Sequence, residues 1–211
     1  MKMKMYSVAF LALASALAIT PAAIADSFSA SPTGIPSPTQ TIDFSEIALA
    51  QNAVVTNQYA GLGITFSPNV YYDPETGFGS IQANDIGNFS STGLGPVNPV
   101  TFTFSTPLTA AAFSFDADFT PYLFQALLNG TVVDSFVATV GDTSPDYYGF
   151  TNDDFNQITI TQDGAGGGPY WLASNIEFGS DASVIPEPSS IYLLGSGLAC
   201  LAGFVRRKVR V

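Results

Sequence analysis

All six lysines and arginines of this 211-residue chain lie in its first four or last six residues, and residues 26–185 contain no Lys, Arg, His or Cys. A body of about 160 residues therefore folds without a basic partner for any of its acids. It has no disulfide, no zinc-type ligand set and no thiolate nucleophile. Of the 17 acidic residues, only Glu187 lies outside residues 26–181. So acidic a body repels phosphate backbones and anionic lipid surfaces, which excludes nucleic acid as a partner and leaves cations and neutral polymers.

What remains to hold the body together is a core, and the pattern of that core is β. In Thr101, Phe102, Thr103, Phe104 and again in Phe113, Ser114, Phe115, every second side chain is a large aromatic, which places it on one buried face of a sheet. The same reading predicts strands over residues 41–44, 53–59, 63–66, 69–72, 100–104, 111–117, 123–128, 131–140, 157–162 and 171–178. Asn129 and Gly130 separate two of these runs, and that pair closes a hairpin of the correct twist. No helical stretch of ten residues is present; residues 46–52 offer a turn or two at most. Turn signals about every ten residues point to one all-β domain over residues 41–180, a two-sheet sandwich or jelly roll. Residues 26–40, rich in Ser, Pro and Thr, read as a flexible leader.

Both ends have the form of targeting segments. Lys2 and Lys4 precede an apolar stretch over residues 8–19, and Ala23 and Ala25 supply a small-x-small cleavage site. Residues 1–25 thus read as a signal peptide cut by signal peptidase, and the body as exported across the inner membrane. At the other end, Pro186, Glu187 and Pro188 are followed by Ser189 and Ser190, an apolar run over residues 191–205, and then Arg206, Arg207, Lys208 and Arg210. Proline disfavours helix in the preceding residue, so the triplet is accessible extended backbone outside a hydrophobic helix. Fifteen helical residues reach about 22 Å, short of a hydrocarbon core of about 30 Å. The helix is a marginal transmembrane anchor, lengthened by flanking residues and by snorkelling basic side chains. Residues 181–211 resemble the PEP-CTERM sorting signal, in which a triplet, an apolar span and a basic cluster follow one another. The resemblance implies an exosortase that recognises the triplet and releases or transfers the body to the cell surface or extracellular matrix.

The body carries a second resemblance, to a jelly-roll-like module found ahead of such tails. Its opening is Asp43, Phe44, then Val54, Val55, Thr56, then Gln58, Tyr59 and the run from Gly61 to Phe66; its close is Phe150, Phe155 to Ile160 and Ser174 to Phe178. Ser174 stands where that pattern has aspartate. The resemblance implies the fold and no single activity.

Without His, Lys or Cys, serine-hydrolase chemistry lacks its base. Carboxylate glycosidase chemistry needs only two acids, and any pair among Asp73, Glu75, Asp85, Asp116 and Asp118 qualifies by type, though none lies in a recognisable motif. The composition therefore points away from an enzyme. Calcium suits clustered carboxylates better, and Asp116 with Asp118 at a strand end, and Asp43 with Glu177 on the first and last strands, are the candidate ligands. Sugar-stacking rings are the other candidates: Tyr71, Tyr72, Tyr122, Tyr147, Tyr148, Tyr170 and Trp171. Tyr147 and Tyr148 point to opposite faces of a strand, so at least one of them is core. The chain reads as a structural or adhesive matrix protein associated with extracellular polysaccharide. The alternatives are a calcium-assisted glycan-binding module and, more distantly, a glycosidase.

Overall fold

The computed structural model describes residues 26–74, 80–81, 84–92, 96, 98–142, 146–162 and 170–179. Both terminal segments lie outside them, including Ala23, Ala25, Pro186, Glu187, Pro188 and the basic cluster from Arg206 to Arg210, as do residues 163–169. Among the described residues no helix is long and apolar enough to cross a membrane.

Among the described residues eleven strands follow one another: β1 (Asp26–Ser31), β2 (Gln40–Ile42), β3 (Val54–Val55), β4 (Ile64–Phe66), β5 (Val70–Tyr72), β6 (Ile86–Gly87), β7 (Val100–Ala117), β8 (Thr120–Leu128), β9 (Thr131–Val140), β10 (Tyr147–Gln162) and β11 (Trp171–Gly179). A 3-10 turn, Ala60–Leu62, precedes β4. Every pairing is antiparallel, and all eleven strands belong to one hydrogen-bonded sheet.

The two long strands organise that sheet. β7 and β10 pair along their length, with register shifts on β10 between Thr151 and Gln157. Residues 100–104 of β7 pair with β4 and with the second half of β10, which continues to β8 and β9. Residues 110–117 pair instead with β11 and with the first half of β10, which continues to β1. β11 leads on to β2 and, through β6 and β5, to β3. Each long strand thus serves both halves of the sheet, and the halves fold face to face. Ring contacts span the interior: Phe115 to Phe124 at 5.4 Å, Phe104 to Phe178 at 5.1 Å and Phe136 to Phe150 at 5.2 Å. One continuous apolar cluster fills the space, with Trp171, Tyr59 and seven phenylalanines among its fully buried members.

The all-β expectation holds, and β9 has the predicted bounds. The β8–β9 turn is the predicted hairpin, with Asn129 at φ 51° and Gly130 at φ 82°. Three features differ. Residues 100–104 and 111–117 form one strand, because the bend between them keeps its backbone extended. Residues 26–40, expected as a flexible leader, carry β1 and the start of β2; β1 pairs with the first half of β10, and Ile35 is buried against Ala110 and Ala112. Composition alone did not show that an edge was waiting for them. Residues 46–52 form bends and a turn rather than helix.

Candidate functional site

Most aromatic candidates serve the core. Tyr71, Tyr122, Tyr148 and Trp171 are buried, and Tyr148 stacks on Phe124 at 5.4 Å. Tyr147 takes the opposite face, as alternation requires, and packs half-buried against Ile35, Ala110 and Ala112. Tyr72 is half-buried and donates to Asn84 Oδ1. Only Tyr170, 36% exposed, presents a ring to solvent among the predicted residues. A second ring does so unpredicted: Phe119, 62% exposed, in the bend between β7 and β8. The one cue was its place in a short polar turn between two apolar runs.

These two rings belong to the same end of the fold. β7 ends at Ala117, whose partner on β11 is Trp171, so Tyr170 and Asp118 are the next residues out on adjacent strands. The Ala117 amide donates to the Gly141 carbonyl, and a Cβ on Gly141 would press on the Phe119 ring. Phe89 meets Tyr170 edge-on at 4.9 Å, and the Tyr122 hydroxyl donates to the Tyr170 carbonyl. Asp118 has its carboxyl raised by partial burial and then by the charge of Asp142 across the bend. The β7–β8 end therefore offers two exposed rings beside two carboxylates, with no basic residue among the described ones, an arrangement suited to the apolar face and hydroxyls of a neutral sugar.

The four metal candidates do not gather at one point. Asp116 lies inside β7 and is fully buried, its Oδ2 accepting from the Ser80 amide and hydroxyl, both at 2.6 Å, and from the Ile81 amide at 2.8 Å. Asp118 falls beyond the end of the strand, so alternation no longer sets its direction. β2 and β11 do lie side by side, with Thr41 opposite Glu177. Asp43, however, accepts from the Ser45 amide and hydroxyl, which lowers its carboxyl. Glu177 is half-buried against Gly34, and burial raises it while the Ile35 amide opposes. Among the described residues no three acidic groups converge on a common point.

A different set of acids is brought together instead. Asp73 follows β5, Asp85 precedes β6, and the Asp73 amide donates to the Asp85 carbonyl at 2.9 Å. Burial, and then the charges of Asp73 and Asp116, push the Asp85 carboxyl up to about 7. The segment carrying Asp85 runs beside β11, held there by the β6–β11 pairing, by Ser174 Oγ donating to the Asn84 carbonyl and by the Trp171 amide donating to Asn88 Oδ1, while Ser80 and Ile81 close on the Asp116 carboxylate. Asp85 and Asp116 both have no exposed surface. A glycosidic bond has no approach to this pair while that segment is in place.

No protein-family model matches the chain, and no curated protein matches it. Two solved structures are similar to part of it. The GH31 module CBM32-2, solved bound to GalNAc, is 20% identical over 56% of this chain and 97% of that one, with a TM-score of 0.36. A mutant of CBM29-2, a family 29 carbohydrate-binding module, is 14% identical over 59% and 99%, with a TM-score of 0.31. Superposition this loose assigns no ligand to the present chain.

Proposed function

We propose that this protein is exported by its signal peptide and processed by an exosortase at Pro186, Glu187 and Pro188. Its jelly-roll-like body then attaches to neutral extracellular polysaccharide as a non-catalytic surface or matrix component. The observation that carries the binding role is the β7–β8 end, where Phe119 and Tyr170 stay exposed beside Asp118 and Asp142 while nearly every other described ring is packed inside. Leaving a large ring wholly in water forgoes about 1.5–3 kcal/mol of burial, and the exposed fractions of Phe119 and Tyr170 forgo part of that, which a bound sugar face recovers in part. Sorting rests on the order of triplet, apolar run and basic cluster in the sequence.

The binding role is tested on the mature exported protein by retention in gels containing neutral polysaccharides. Tyr170→Ala and Phe119→Ala are each expected to weaken retention several-fold; Phe119→Ala is also expected to leave the unfolding midpoint unmoved, whereas Tyr170→Ala gives up its edge contact with Phe89. Retention unaffected in the double variant removes the assigned end, and no retention on any polymer leaves a purely structural role.

A further inference from the structure

An ionised carboxylate in a protein interior needs an opposite charge or several donors to replace its water. Asp85 has neither. It is fully buried, and both of its carboxylate oxygens lack a hydrogen-bond partner. Its acidic neighbours add to the deficit, since Asp73 Oδ1 and Asp116 Oδ1 are also buried without a partner. The other titratable groups facing the cluster are the Tyr72 phenol, raised by burial and by the charges of Asp73 and Asp85, and the Tyr148 phenol, raised by burial and by Asp146 and Asp116; each is itself anionic when it ionises. Since residues 26–185 contain no Lys, Arg or His, no side chain of the body can neutralise these acids. The compensating charge must come from solution.

We propose that the orphaned carboxylate oxygens around Asp85 take up a hard divalent cation of the calcium type, with Asp85 as the principal ligand and Asp73 and Asp116 beside it. Because no three acidic groups already converge, one neighbour lies closer to the ion than the other, and uncharged oxygens complete the shell. Such mixed shells of carboxylate, carbonyl and water are usual for calcium, which accepts six to eight oxygens in flexible geometry. The ion would join three segments distant in sequence: the end of β5, the stretch before β6, and β7. In a chain without disulfides it would act as their cross-link. It would also steady Phe89, four residues beyond Asp85, which supports the exposed Tyr170 ring. The ion site does not depend on sugar binding and is read without any sugar present.

Melting of the mature exported protein at pH 8, in 1 mM calcium chloride against EGTA, tests the site. Calcium saturating a site of micromolar affinity raises Tm by about 5 °C or more. Asp85→Asn keeps the side-chain volume, removes the central charge and is expected to abolish that shift. Terbium supplies a second readout: bound beside Tyr72, it luminesces on tyrosine excitation, and Tyr72→Phe dims it. Equal melting with and without calcium in the wild type, a shift that survives in Asp85→Asn, or terbium emission indifferent to Tyr72→Phe would each overturn the proposal. Should Asp85→Asn fail to fold, Asp73→Asn must weaken the calcium shift for the site to stand.

Discussion

Phe102 and Phe113 belong to the same strand, yet their rings meet edge-on at 5.3 Å. Eleven residues of straight strand would separate them by about 35 Å, so β7 must turn across the fold between them. This contact brings the two halves of the sheet into one core. Phe113→Ala is therefore expected to lower stability by about 3–5 kcal/mol, as aromatic truncation in a closed core does. A urea midpoint close to wild type would show that the halves are held together elsewhere.

Gly130 adopts φ 82° in the hairpin that sets the register of β8 against β9. Valine is strained in that conformation, and Gly130→Val should cost about 1–2 kcal/mol. No atom crowds the position, so backbone strain alone is tested. Gly130→Asn, which tolerates left-handed backbone, should recover most of the loss.

The buried acids give an unusual pH dependence in calcium-free buffer. The Asp85 carboxyl is raised to about 7 in the fold, against about 3.9 in an unfolded chain. Between those values the folded state binds the extra proton. Stability is thus fully present below about pH 4, falls as pH rises towards 7, and levels off above it, losing a few kcal/mol overall. Asp118, Asp153 and Glu177 are raised too and push the same way. Denaturation midpoints at pH 5 and pH 8 check the sign, and Asp85→Asn should flatten most of the difference. Greater stability at pH 8 would contradict it.

Processing is read by intact mass. The exported protein should begin at or near Asp26 and lack everything after Pro188, and substitution of Glu187 or Pro188 should leave precursor in the membrane. A mature species retaining residues 206–211 identifies a permanent anchor instead.

Much of the body was legible because alternation is a local property: Phe102, Phe104, Phe113 and Phe115 announce a buried β face whatever lies opposite. Asn129 and Gly130 announce their turn for the same reason, since positive φ is a preference of the residues themselves. Charge is equally local: with no basic residue in the body, none of its acids can pair with a lysine, arginine or histidine of the body, however the strands are placed. Which side chains share a neighbourhood is another matter. Asp116 and Asp118 sit two apart in sequence, yet one is sealed inside β7 and the other lies beyond the strand's end. Asp73 and Asp116, 43 residues apart, both press their charge on Asp85, because the sheet sets the end of β5, the start of β6 and β7 near one another. Tyr170 and Trp171 are neighbours with opposite fates, one presented to solvent and one sealed in the core. The sequence by itself determined the fold class, the turn and the sign of the field. Only the tertiary structure decided which rings remain at the surface and which acids are left to share an interior without a countercharge, because both depend on contacts between segments far apart along the chain.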